Sequence, residues 1–469
     1  MHGLKTNGMK CARAAIAVFV MLFACLACFS ACTDNTEPDQ KKLARKVSID
    51  GHDVSELTVA EARSAIEKDQ KNKLKNLCFR VALGEHSVLI YGDRLPITFN
   101  TEQVLSDAME LTYWVFSFTP QRELNTSMTL DEKAAYGVVD KLVEPLNSNP
   151  VSATATYDPG VEGKFVYSED IAGKRVEVEK VVELLKKAVE GGGETVIEAD
   201  YIALEPTIDV DTLKEQHVLV SEFQTSFKKS PHNAAGRVHN IVKAAKMIDG
   251  YVVEPGEEFD MNAVLGPRGA DGGWKKAPGI RYGKYEMEYG GGVCQVSSTL
   301  FNAVLMADLE ISARTPHSWP LTYIPIGRDA TISTGGPNFK FINNRETPVV
   351  ISATASREKY TITVRIYGES LPDGMTIKLS SKRTGTIPNP GNKILLDKTL
   401  PPNTRVVDRE SRAGKKSKTY KEYYDSEGKL IERVVVCEDT YRAIEGIVYV
   451  SSDIYYGYDT SKSSAVSGY

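Results

Sequence analysis

The sequence predicts an α+β, multidomain chain, and three observations carry that prediction. Its 469 residues exceed a single ordinary domain of about 100–200 residues. With 42% apolar and 25% charged residues the composition is globular, which excludes wholesale disorder, a collagen-like repeat and a polytopic membrane protein. Helix-period and strand-period apolar patterns are interspersed up to about residue 370, and beyond that only strand and turn signals remain.

Residues 1–32 open with Lys5, Lys10 and Arg13, continue as an uncharged apolar run over 14–31 and carry Cys25, Cys28 and Cys32 near its end. A cationic start, an apolar stretch and small residues before the exit are the layout of a secretory signal. The run is also long enough to span a bilayer, so an uncleaved apolar anchor is the alternative. Either way the rest of the chain is expected to be extracytoplasmic and membrane-tethered. Residues 33–46 are polar and read as a solvated tether.

Residues 47–215 are expected to form a mixed α+β region. A strand and turn at 47–51 precede a capping box, Thr58 with Glu61, that opens a helix through about residue 68. Strand-like runs follow at 79–83 and 87–91, and a second capping box, Thr129 with Glu132, opens a helix to about 146. Val178, Val181, Val182, Leu185 and Ala188 keep helical spacing until Gly191-Gly192-Gly193 stops it, and 195–204 alternates as a strand. No cluster here suggests chemistry, so the region reads as a spacer or binding module.

A second α+β domain is expected at 223–368. It contains a helix at 237–247 with Val238, Ile241, Val242 and Ala245 on one face, and turns at Pro255-Gly256 and Gly266-Pro267. Residues 375–451 read as a small all-β module with a hairpin around Asp425-Ser426-Glu427-Gly428, and 452–469 as a tail whose last ten or so residues are disordered.

The net charge of −5 becomes roughly −8 once the three leading cations are set aside, the wrong sign for general affinity to phosphate backbones. No nucleic-acid partner is expected. Four of the seven cysteines lie in residues 1–32, leaving Cys78, Cys294 and Cys437. Three scattered thiols are neither a disulfide framework nor a zinc cluster, and at least one must stay unpaired. Cys78 and Cys437 sit in apolar runs and read as small buried hydrophobes. No metal or cofactor is called for.

Cys294 has different neighbours. It follows Gly290-Gly291-Gly292-Val293, and Val296, Leu300, Ala303, Val304 and Ala307 downstream mark one apolar face of a helix. The cysteine therefore falls at a helix N-terminus, where unpaired N–H groups and the helix dipole lower a thiol pKa from about 8.5 and could hold an oxyanion. A thiolate nucleophile needs an acid–base partner, and His317 in Arg314-Thr315-Pro316-His317-Ser318 is the choice. His239, inside a helical pattern, reads as a packing or surface residue. Asp329 in Gly327-Arg328-Asp329-Ala330 is the candidate to orient the imidazole, with Tyr323 and Asn338 behind it. Two bland readings stand beside this one. A phosphate-binding glycine loop lacks the Lys-Ser/Thr it requires, whereas a buried structural thiol remains open on spacing alone.

Gly290-Gly291-Gly292-Val293-Cys294-Gln295-Val296-Ser297-Ser298-Thr299-Leu300, then His317-Ser318, then Tyr323-Ile324-Pro325-Ile326-Gly327-Arg328-Asp329-Ala330 and Phe341-Ile342-Asn343-Asn344, resemble the VanW family, named for a vancomycin-resistance gene cluster. The resemblance runs over about 223–368 and takes in Arg237, Asn240, Pro255-Gly256-Glu257, Phe259, Asn262 and Gly266-Pro267-Arg268. Residues before it resemble the peptidoglycan-binding module often joined to VanW and to YkuD-type transpeptidases, at Ile49-Asp50-Gly51 and around 129–204. The C-terminal strands are weakly similar to the five-glycine cell-wall adhesion module. The start of the chain resembles a bacterial lipoprotein signal with Cys32 lipidated, Cys28 being the competitor.

What these resemblances imply is an enzyme of the cell wall. VanW domains are associated with L,D-transpeptidase activity, which makes 3-3 crosslinks between peptidoglycan stem peptides through a cysteine thioester. Cys294 would then be the nucleophile, His317 the base and acid, and Asp329 its orienting carboxylate. Gly291, Gly292, Gln295, Ser297, Ser298 and Tyr323 would contact substrate. Asp260-Met261 stands where Ser-Phe is more usual, and Asn338 where an Asp is common, which would alter a pocket wall and remove a carboxylate from the site. The competing expectation is a non-catalytic peptidoglycan-binding lipoprotein with Cys294 a packing residue.

Overall fold

The computed structural model describes residues 38–111, 121–192, 195–228, 235–281 and 284–463. The signal segment, Cys32 among it, lies outside them, as do His232 and residues 464–469. No helix among the described residues is long and apolar enough to cross a membrane. The fold is α+β, and the chain divides into two compact units, one of residues up to 150 with 172–205, the other of 151–171 with 206–469.

In the first unit the helix Val59–Asn76 opens at a reciprocal capping box. Glu61 N–H donates to Thr58 Oγ1 at 3.2 Å and Thr58 N–H donates to Glu61 Oε2 at 2.9 Å. The helix buries Val59, Ala62 and Ile66 in a cluster with Leu43, Ala44, Val47, Ile49 and Val104. Residues 42–44, read from their polarity as tether, thus pack into a core because Leu43 and Ala44 supply apolar area to it.

A second cluster forms where the helices Glu132–Val143 and Val178–Gly191 cover a three-stranded sheet of Val196–Glu198, Cys78–Leu83 and His86–Tyr91. The first of these helices is capped by Asp131, which accepts from Ala134 N–H at 3.1 Å, and not by Thr129, which lies in the strand Met128–Leu130. The expected single strand at 195–204 is two, Val196–Glu198 and Tyr201–Leu204, each paired in a different sheet.

The second unit is built on an antiparallel sheet in the order Val218–Ser226, Thr361–Gly368, Val349–Ser356, Tyr251–Val253. The helices Ala235–Ile248 and Val293–Met306 pack against it around Val296, Leu300, Phe301, Ile351, Val364 and Ile366. A smaller sheet of Glu258–Asp260, Lys340–Ile342 and Glu310–Ala313 adds Phe259 and Phe341, which stack at 5.1 Å. The hairpin Lys276–Arg281 with Lys284–Tyr289 leads directly into the glycine bend before Cys294.

The C-terminal strands belong to this same unit. Thr376–Ile387, Gly414–Tyr424 and Leu430–Tyr441 form one antiparallel sheet, and Asn392–Leu396, Gly446–Val450 and Arg405–Arg409 another. Tyr441, at the end of its strand, is 1% exposed, and Tyr423 hydroxyl donates to Asp308 Oδ1 at 2.8 Å. After them Ser452–Ser463 is helical, where the sequence reads as tail.

Candidate active site

Cys294 is the second residue of the helix Val293–Met306, whose N-cap is Gly292 at φ 101°. Each glycine of the bend is required by a close neighbour. A Cβ at Gly290 or Gly292 would lie 2.7 Å from Cγ of Arg268 or Arg237 respectively, and one at Gly291 would lie 2.4 Å from the Ala277 carbonyl oxygen. The bend therefore fits between two arginine stems and a strand backbone. Gly291, Val293 and Gln295 N–H donate to the carbonyls of Glu288, Gly290 and Gly292. Among the described residues this leaves the Cys294 N–H without a backbone acceptor, as the first turn of a helix allows.

The expected partners converge on the thiol. His317 lies close enough to Cys294 for each to shift the ionisation of the other, while its Nδ1 meets Asp329 Oδ2 at 2.6 Å, which leaves Nε2 for the sulfur. The same carboxylate oxygen accepts the His317 backbone N–H at 2.7 Å, fixing ring and main chain together. Burial works against a charged thiolate, but the hydrogen bond and charge of His317 outweigh it and hold the Cys294 pKa below its ordinary value. Burial likewise opposes a charged imidazole, yet the bonds to Asp329 and Cys294 push His317 up to about 9. Asp329, despite its own burial, is held down at about 2 by the same imidazole and by Tyr441. The shifts favour an ionised thiol beside a charged imidazole, with Asp329 held as the carboxylate.

The loop that carries His317 and Asp329 is irregular, and the cysteine helix holds it in place. Ser297 Oγ donates to Ala330 O at 2.7 Å, and Ser298 Oγ accepts from Ala330 N–H at 3.0 Å. Asn302 grips Arg328, donating to its carbonyl at 2.8 Å and accepting from its Nε at 2.6 Å. Ser297 and Ser298, expected to contact substrate, are wholly buried and anchor this loop instead. Gln295 is also buried, accepting from Arg237 at 2.9 Å and donating to Thr225 at 3.0 Å. Gly291 is a packing position, and Gly292 caps the helix. Tyr323 is half-buried with its hydroxyl 3.5 Å from Ser298 Oγ, close enough for the Cys294 and Asp329 charges to act on it.

Asn338 stands outside the trio. It accepts from Asn262 N–H and donates to Asp260, the cap of the helix Met261–Leu265, so the change from a carboxylate there takes nothing from the site. Met261 lies in the core. His239 bonds the Gly273 carbonyl and is not part of the site. All three described cysteines are free and half-buried, and burial pushes the Cys437 thiol up to about 11, the opposite direction from Cys294.

Two groups that no sequence signal marks complete the arrangement from behind. The Tyr441 hydroxyl donates to Asp329 Oδ1 at 2.5 Å and accepts the Gly327 N–H at 2.8 Å. Arg314, 6% exposed at its side chain, donates to Asp329 O at 2.6 Å and pairs with Asp439 at 2.5 Å. The carboxylate that orients His317 is thus itself oriented by the C-terminal strands. Tyr441→Phe is expected to cost about 1–3 kcal/mol of stability, because Gly327 N–H loses its buried acceptor and Asp329 Oδ1 keeps only Arg314, at 3.5 Å. Denaturant unfolding of the second unit measures it, and an unchanged midpoint would contradict this account.

Residues 236–367 match the family described as VanW like protein, a span that contains Cys294, His317 and Asp329. The chain carries a VanW-like domain. Over 164 residues it is 42% identical to "Uncharacterized protein YoaR" of Bacillus subtilis (strain 168), covering 35% of this chain and 53% of that protein. It is 28% identical over 176 residues to "Vancomycin B-type resistance protein VanW" of Enterococcus faecalis (strain ATCC 700802 / V583), covering 35% of this chain and 63% of that one. The match thus spans little more than half the length of these relatives. Two solved structures, "IgA1 Protease G5 domain structure" and "Crystal structure of HP0197-G5", are covered at 89% and 95% by 17% and 16% of this chain. Their identities are 19% and 23% and their TM-scores 0.13 and 0.11, too low to bear on function. The VanW-like domain holds Cys294, His317 and Asp329, while Tyr441 and Asp439 come from outside it.

Proposed function

We propose that the chain is a cysteine acyltransferase of the cell wall, an L,D-transpeptidase that makes 3-3 crosslinks in peptidoglycan, held outside the cytoplasmic membrane by its N-terminal segment with Cys32 as the lipidated residue. The observation that carries the reading is the Cys294 thiol, at the first turn of a helix, beside an imidazole that lowers its pKa and whose Nδ1 is locked on Asp329. The assignment to the cell wall is supported by the VanW-like domain and by a relative named for vancomycin resistance.

The chemistry follows from the protonation states. The Cys294 thiolate attacks the carbonyl carbon of the third, L-centred stem residue, and the Cys294 N–H receives the developing oxyanion. On collapse the C–N bond breaks, the leaving D-amino acid takes the His317 Nε2 proton, and a thioester remains. Neutral His317 then removes a proton from the acceptor side-chain amine, whose attack on the thioester forms the new amide and releases the thiolate. His317 ends protonated, as it began.

The test is incubation of the purified chain with disaccharide tetrapeptides and mass analysis of the products. Dimers joined through two third residues, with one terminal amino acid released per dimer, are expected. Hydrolysed tripeptide without dimers would replace transfer by carboxypeptidase activity, and unchanged substrate would favour the non-catalytic wall-binding alternative.

A further inference from the structure

We infer that Arg237 and Arg268 form a carboxylate-binding subsite beside Cys294, which selects a peptide carrying a free carboxylate near the bond that is attacked. The identity of the peptide rests on the proposed acyl transfer; the anion site does not.

Arg237 is 7% exposed, and its Nη2 donates to Gln295 Oε1 at 2.9 Å. Its Nη1 is buried with no hydrogen-bond partner, the one charged group among the described residues left so, the others being three hydroxyls. A buried guanidinium N–H without an acceptor is unfavourable, and charged groups are kept in that state where a ligand supplies the acceptor. Arg268 gives its Nη2 to Asn262 Oδ1 at 2.8 Å and its Nη1 to the Gly266 carbonyl at 3.2 Å, both neutral acceptors. Neither arginine forms an ion pair with a carboxylate among the described residues, although the charge of Glu288 acts on Arg268.

Their position makes this pair specific to the site. The stem of Arg268 lies over Gly290 and that of Arg237 over Gly292, so the two cations flank the bend that delivers the nucleophile. Both are near enough for the Cys294 charge to act on them, and Tyr323 faces Arg237 in the same way. Arg268 is half-exposed and gives the open side; Arg237 is the closed end. A planar guanidinium fork matches a carboxylate in geometry as well as charge. In a peptide cleaved at Cys294, that carboxylate belongs either to the leaving C-terminal residue or to a side chain of the acyl part.

Two alkylating reagents of similar size test the anion site without any turnover. Cys294 in the full chain is treated with iodoacetate and with iodoacetamide at pH 7, and the rate at this residue is followed by peptide mass analysis. The iodoacetate-to-iodoacetamide ratio is expected to exceed that of free cysteine about tenfold, and to fall most of the way back in Arg268→Gln and Arg237→Gln. If the arginines only sustain the thiolate, the variants slow both reagents equally and the ratio stays that of free cysteine, which overturns the subsite. The variant of the half-exposed Arg268 decides the matter if the buried one does not fold.

A second arm finds the source of the carboxylate, using tetrapeptide stems as free acids, as C-terminal amides and as side-chain amides. Loss of turnover on one amidation names the carboxylate that is read. Equal turnover of all three overturns the substrate half of the inference. No turnover of any of them, with the reagent ratio elevated, removes the acyl-transfer reading and leaves the anion site standing.

Discussion

Cys294→Ala is expected to abolish 3-3 dimer formation, lowering the rate by about 10⁴-fold or more, while leaving the fold intact. The asymmetry follows from what the sulfur does. Apart from its charge interaction with His317 it makes one weak hydrogen bond, to the Ile332 carbonyl at 3.4 Å, and it packs at the edge of the core without being enclosed by it. Its loss should therefore change stability by no more than about 1 kcal/mol. Chemically nothing nearby replaces it, since Ser297 and Ser298 hydroxyls are buried and committed to Ala330 and the Cys294 carbonyl. Intact-mass spectra with substrate should show an acyl adduct on the unsubstituted chain and none on the variant. Equal dimer yield from both would remove Cys294 from the mechanism, and an unfolding midpoint shifted by several kcal/mol would restore it to the role of packing residue.

Which parts of this site could be read in the sequence follows the distance over which each is specified. Cys294 was legible because the glycines and the helical spacing of Val296, Leu300 and Ala303 are local, and His317 and Asp329 because one loop of a dozen residues carries both. Ser297 and Ser298 misled, since a polar residue on a helix face looks the same whether it meets substrate or a neighbouring loop. Tyr441 could not be found. It stands 112 residues beyond Asp329, and in its strand it is one more alternating aromatic until the pairing of Leu430–Tyr441 with Gly414–Tyr424 sets its register. The same holds at the level of the fold. The cap at Asp131 and the break in 195–204 shift local signals by a few residues, whereas the shared unit of the VanW-like domain and C-terminal strands depends on contacts such as Arg314 with Asp439.

That shared unit changes what the C-terminal strands are for. Viewed as a separate module they would be a passive wall-binding appendage; packed as they are, they supply the hydroxyl and, through Asp439 and Arg314, the charge that hold Asp329. The orienting carboxylate is thus fixed from two sides, by the cysteine helix through Ser297, Ser298 and Asn302 and by the strand ending at Tyr441. In the proposed reaction the acid–base partner of Cys294 thus depends on residues both inside the 236–367 span and beyond it.

The strongest test of that dependence is pH. With Asp329 present, His317 stays protonated up to about 9 and Cys294 ionises below its ordinary pKa. Iodoacetamide should therefore reach its plateau rate with Cys294 at a lower pH than with an ordinary thiol. Acyl transfer should fall again as pH rises through about 9, where the leaving amine loses its proton donor. Asp329→Asn removes the anion that holds the imidazolium, so the folded-state pKa of His317 drops toward the ordinary value of about 6.5. Two limbs then move in opposite directions. The thiolate, deprived of its imidazolium neighbour at neutral pH, requires a higher pH to form, and the proton donor is lost at a lower one. The window in which both exist narrows, and turnover at pH 7 is expected to fall by about 10²–10⁴-fold. Alkylation rates against pH read the first limb and the turnover profile the second. A variant whose two limbs coincide with those of the unsubstituted chain would show that Asp329 positions the loop without charging the imidazole.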